Sequence, residues 1–136
     1  MKIVVDAYAW IELFSGTSKG NFARRQMEQA ESVITPDSVV GEVARKYLRD
    51  GIGEETTRER LSTILEVSEL VCVDDQVAIE ASKAYFQLLD KSRKEGSRKP
   101  SLSDGLVLGI AKINEAKVLT GDEHFKGLPD TIWISE

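Results

Sequence analysis

LSDGLVLGIAKINEAKVLT, residues 102–120, decides the fold. Leu106, Val107, Leu108, Ile110, Ala111 and Ile113 surround the helical axis over 102–116, and a helix without a polar face belongs inside a protein. Gly105 and Gly109, four apart, would let another backbone approach it closely. Lys117–Thr120 then reads as a short strand ending at Gly121-Asp122. A buried helix feeding a short strand is one unit of a parallel sheet.

Working outward, the same alternation recurs. Lys2–Val5 is a β-branched run stopped by Asp6, and Ala7–Phe14 is helical up to Ser15-Gly16-Thr17-Ser18. Phe22–Ala30 is a weaker helix, and Val33–Thr35 a second strand stopped by Pro36. A helix over 37–49 has the stripe Val39, Val40, Val43, Ala44, Tyr47 and Leu48, and Thr57–Val67 is helical by composition. Leu70–Val73 reads as a third strand, with Cys72 a buried strand residue. Asp74 caps a long helix with the stripe Val77, Ala78, Ala81, Ala84, Tyr85 and Leu88. That helix is expected to fray over 91–100, a stretch with five positive charges and one negative. Thr131–Ile134 would be a fifth strand. The expected fold is α/β: one domain over 1–136, a three-layer α/β/α sandwich with a central parallel sheet of four to five short strands.

Composition bounds the chemistry. Of 136 residues 41% are hydrophobic, which excludes disorder, and no apolar run approaches the roughly 18 needed to span a bilayer. The start, MKIVVDAYAW, is not read as a secretory signal, and one cysteine fits a reducing cytoplasm. A single His and a single Cys exclude a Cys/His zinc cage. Against 18 Lys and Arg stand 23 Asp and Glu, a net charge of -5. Nucleic acid would therefore require a local basic patch or bridging cations. Carboxylate is plentiful, and carboxylates suit hard ions such as Mg²⁺ or Mn²⁺.

In parallel sheets, function gathers beyond the carboxyl ends of the strands. Asp6 and Asp122 occupy such positions, although each alone is read more simply as a turn or cap residue. Asp104 opens the buried helix; it could cap it, or leave that role to Ser101 or Ser103. On a helical wheel Glu42 lies opposite the apolar stripe, as a solvated partner of Arg45 and Lys46.

Ile3-Val4-Val5-Asp6, Thr35–Glu42, Leu102–Leu106 and Val118–Phe125, in this order and spacing, resemble the PIN-domain ribonucleases. The resemblance is greatest to the VapC toxins of prokaryotic toxin–antitoxin pairs and covers nearly the whole chain. It implies a metal-dependent endoribonuclease with an acidic pocket of Asp6, Glu42, Asp104 and Asp122, supported by Thr120. It therefore turns the Glu42 edge of its helix toward that pocket. One or two Mg²⁺ or Mn²⁺ ions would relieve the repulsion among the acids and activate water for phosphodiester hydrolysis. The resemblance also implies an RNA substrate, single-stranded or looped, a VapB-like antitoxin, and a homodimer. Many members carry Thr or Ser after the first Asp, whereas this chain has Ala7 and Tyr8.

Two other readings share this chemistry or shape: a free-standing PIN nuclease and a non-catalytic PIN-shaped binding module. A haloacid-dehalogenase-like phosphatase wants Asp-x-Asp after its first strand, and a response-regulator receiver an acidic pair there; neither is present. Arg45, Lys46, Arg49, Arg98 and Lys99 are candidates for flanking phosphates, though each alone reads as an ordinary solvated charge. His124 reads as a turn residue ahead of Phe125 rather than a general acid. Tyr8 and Trp10 read as core or interface aromatics rather than base-stacking platforms.

Overall fold

In the computed structural model of the chain, which describes residues 1–135, five strands form one parallel sheet. They are β1 (Lys2–Val5), β2 (Ser32–Pro36), β3 (Glu69–Val71), β4 (Lys117–Thr120) and β5 (Thr131–Trp133), ordered β3-β2-β1-β4-β5. Six helices flank them: α1 (Ala7–Ser15), α2 (Ser18–Gln29), α3 (Asp37–Arg49), α4 (Glu54–Val67), α5 (Asp75–Glu95) and α6 (Leu102–Ile113). Successive side chains of a strand face opposite sides, yet Ile3, Val4, Val5, Val118 and Leu119 are all fully buried. The sheet is therefore covered on both faces, which is the three-layer α/β arrangement the alternation predicts.

The strand order places the site. From β1 the chain crosses to β2 on one side and later returns to β4 on the other, so the order reverses between β1 and β4. A crevice opens at such a reversal, beyond the carboxyl ends of the strands. The β1/β4 register sets Val5 opposite Leu119, so Asp6, just past β1, stands beside Thr120, the last residue of β4.

Helix α6 is the buried one, with Val107, Leu108, Ile110 and Ala111 fully enclosed. It lies closely on α5 through its two glycines. A methyl group on Gly105 would stand 2.6 Å from the Ala81 carbonyl oxygen, and one on Gly109 would stand 2.7 Å from the Ala81 nitrogen.

Several boundaries differ from expectation for local reasons. α5 does not fray at Lys91 but runs to Glu95, where Gly96 at φ 65° closes it. Asp90–Lys94 and Lys91–Glu95 pair one turn apart there, and Ser92 is buried. α2 begins at Ser18 because the Thr17 hydroxyl accepts from the Gly20 amide and caps it. β3 ends at Val71 on the sheet edge, which leaves Cys72 exposed rather than buried. Leu48 and Ala78, assigned to apolar stripes, are exposed as well. No described helix is long and apolar enough to cross a membrane.

Substituting Gly109→Ala sets a methyl group against α5 backbone, which cannot rotate away. The expected loss is about 2 kcal/mol of unfolding free energy, read as a lower urea midpoint; an unchanged midpoint would show that α5 and α6 are not closely packed here.

Candidate active site

Asp6 follows β1 and is only 4% exposed. Its Oδ1 accepts from the Ala7 amide at 2.8 Å, and its Oδ2 accepts from the Thr120 hydroxyl at 2.8 Å. Thr120 Oγ1 in turn accepts from the Asp122 amide at 2.9 Å. One hydroxyl therefore joins the turns that carry Asp6 and Asp122, as the β1/β4 register requires. Burial, then the nearby charges of Glu42 and Asp122, push the Asp6 carboxyl up to about 7 against the two hydrogen bonds that favour its ionised form.

Asp104 stands in the first turn of α6. The two capping alternatives are realised together: Ser101 Oγ accepts from the Asp104 amide at 3.2 Å, while Asp104 Oδ2 accepts from the Ser101 amide at 2.9 Å and its hydroxyl at 3.1 Å. This reciprocal box fixes a carboxylate that is 8% exposed. Glu42, on α3, is half-buried rather than solvated. Among the described residues its carboxylate partner is the Ser103 hydroxyl, which donates to Oε1, and not Arg45 or Lys46. Ser103 Oγ also lies 3.3 Å from Ser38 Oγ, so the openings of α3 and α6 meet.

Asp122 caps the single 3₁₀ turn Glu123–Phe125, its Oδ1 accepting from the His124 amide at 2.9 Å. The buried Phe125 ring anchors that turn. His124 Nδ1 lies 2.9 Å from Asp122 Oδ1 and 3.5 Å from Asp104 Oδ2. Asp104, Asp122 and His124 each offer a ligand atom, all within 4.8 Å of one another.

These groups face an open cleft of about 320 Å³. Glu42, Asp104, Asp122 and His124 line its acid side, and the buried Asp6 lies close enough to feel the charges of Glu42 and Asp122. Arg45, Lys46 and Arg49 from α3, with Arg98 and Lys99 from the loop before α6, line the rest. Five cations that read singly as solvated charges thus share one cleft with three carboxylates. The residue that sequence reasoning undervalues is His124. Its one legible signal is that the chain's single histidine stands two residues after Asp122. Trp10 is fully buried and Tyr8 half-buried, its ring packed on Gly121, as core residues rather than open platforms.

A parallel α/β sheet with an acid-sided cleft at its reversal point defines the class. The chain belongs to the PIN-domain family, whose model matches residues 3–130. No curated protein matches it significantly. Among solved structures it is similar to the sarcin-ricin-loop-cleaving toxin VapC20 of Mycobacterium tuberculosis: TM-score 0.71, 19% identity, over 93% of this chain and 95% of that one. It is also similar to a toxin–antitoxin complex from Klebsiella pneumoniae (TM-score 0.67, 18% identity, 98% of each chain). A third is VapBC2 of Rickettsia felis bound to promoter DNA (TM-score 0.67, 14% identity, 98% and 97% of the two chains). At these identities the likeness is one of fold.

In metal-free protein the folded state keeps the Asp6 proton up to about pH 7, whereas the unfolded chain gives it up near 3.8. Between those values the folded state binds more protons, so stability falls as pH rises. The thermal midpoint is expected to drop from pH 5 to 8 more steeply in the wild type than in Asp6→Asn. The difference in unfolding free energy accumulated across that window is on the order of 2 kcal/mol. Parallel profiles would place the Asp6 charge outside a buried, crowded environment.

Proposed function

We propose that this chain is a metal-dependent endoribonuclease and the toxin of a type II toxin–antitoxin pair. The observation that supports this most is the meeting of Asp6, Glu42, Asp104 and Asp122 at one sheet reversal beneath a basic rim. The donor set fits a hard divalent cation. Its oxygens are carboxylate, those of Asp104 and Asp122 come within 4.8 Å of each other, and burial with neighbouring charge disfavours the ionised form of Asp6, a cost that a bound cation would offset. Asp6, Glu42, Asp104 and Asp122 would hold one or two Mg²⁺ or Mn²⁺ ions. Such ions, when bound, supply an activated water, a polarised phosphoryl oxygen and a stabilised leaving oxygen.

The chain's own residues do the positioning. Thr120 sets the Asp6 carboxylate and the Asp122 backbone, Ser101 sets Asp104, and Ser103 sets Glu42. Arg45, Lys46, Arg49, Arg98 and Lys99 would take the flanking phosphates of an RNA strand or loop, giving salt-dependent affinity despite the net charge of -5. A partner is favoured by a separate apolar hollow of about 310 Å³, lined by Trp10, Leu13, Met27, Val33 and Val67 among others. It would receive an apolar segment of a VapB-like antitoxin, a reading supported by the toxin–antitoxin complexes the fold resembles. A homodimer acting in the cytoplasm completes the proposal.

Asp104→Asn keeps a side chain able to accept from Ser101 but removes the charge. It is expected to lower cleavage of single-stranded RNA by about 10²–10³-fold, the scale of one preorganised electrostatic group, with the thermal midpoint near that of the wild type. Cleavage that persists in the variant would take Asp104 out of the site. Exhaustive EDTA should stop the wild-type reaction and added Mn²⁺ restore it; activity that survives chelation would contradict a metal mechanism.

A further inference from the structure

His124 touches more than the acids. Its Nε2 lies 2.9 Å from the carbonyl oxygen of Arg98, 26 residues earlier in the chain. A carbonyl can only accept, so the ring donates there. The loop it meets is exposed over Ser97, Arg98 and Lys99. Ser97 bonds back to Ser92 and Ser101 to Asp104, but among the described residues Arg98, Lys99 and Pro100 make no other hydrogen bond. Hollows of about 340 and 320 Å³ border the exposed Ser97, Arg98 and Lys99, whereas Pro100 is buried and holds the loop's far end. Yet Arg98 and Lys99 line the acid cleft.

We propose that His124 is a positioning residue: its Nε2–H latches the Arg98 carbonyl and so holds Arg98 and Lys99 at the cleft for the phosphates beside the scissile bond. The inference rests on the ribonuclease reading above. Without the latch the two cations remain in the chain but must be ordered when RNA binds. The latch therefore bears on KM more than on kcat.

Amide side chains separate the two ring contacts. A glutamine amide reaches where Nε2 stands, and the shorter asparagine amide only where Nδ1 stands. His124→Gln therefore keeps the Arg98 bond, and His124→Asn keeps only the Asp122 contact. For RNA cleavage with Mn²⁺, His124→Asn and His124→Ala are expected to raise KM about tenfold, the worth of one hydrogen bond, with kcat changed much less. His124→Gln should restore KM. A second readout needs no RNA. Trypsin cuts after Arg98, whereas Pro100 protects the bond after Lys99, so nicking at Arg98 in native protein should quicken several-fold in the Asn and Ala variants and not in the Gln variant. Equal nicking in all four proteins would overturn the latch, as would a kcat loss in the Gln variant with the Asn variant unaffected. Wild-type protein that cleaves no RNA but shows the nicking pattern would instead refute the ribonuclease reading and leave the latch standing.

Discussion

A single hydroxyl, Thr120 Oγ1, donates to Asp6 and accepts from the backbone of Asp122. It does so because β1 and β4 are neighbours in parallel, and that adjacency exists because the strand order reverses there. The rest of the site builds on the same reversal. α6 brings its capped first turn with Asp104 to this edge, and α3 brings Glu42, which Ser103 joins to α6. The fold thus forces like charges together, and the cost shows at Asp6, the deepest of them. A cluster of this kind is stable when something cationic shares it, and the cleft provides two sources: a basic rim and room for a metal ion.

If the chain acts on RNA as proposed, this arrangement would reconcile an acidic protein with a polyanionic substrate. A phosphodiester strand entering the cleft of a chain of net charge -5 would meet five cations beside the carboxylates. Specificity for the scissile phosphate would then come from position relative to the acids, and affinity from the rim. Two of the five cations sit on a loop secured by the one histidine. Ordering of that loop and integrity of the acid cluster are therefore coupled through the short turn after β4.

How much of this is legible in the sequence follows from the range of the contacts involved. β1 and β4 are readable because β-branched runs buried on both faces have no polar alternation to confuse them. α6 is readable for the same reason, and its glycines point correctly to close contact with another backbone. β3 misleads because an edge strand tolerates exposure, so Cys72 looks buried in sequence and is not. The end of α5 escapes a compositional reading because two ion pairs and the buried Ser92 extend it past the point where composition turns basic. Glu42 eludes the helical wheel because a wheel locates the stripe facing the sheet and says nothing about a helix edge facing a cleft. The hydroxyl that Glu42 meets is 61 residues away. His124 is undervalued for a similar reason: its partner carbonyl at Arg98 belongs to a loop that no local pattern connects to the Asp122 turn.

Crowded carboxylates that share a divalent cation must respond to it, and the decisive measurement is the thermal midpoint of the purified protein titrated with Mn²⁺ near pH 8. A cation that binds only the folded state must raise the midpoint steadily with its concentration. That rise is expected in the wild type and should be lost in Asp122→Asn. A midpoint that stays flat up to millimolar Mn²⁺, or climbs equally in both proteins, would contradict it.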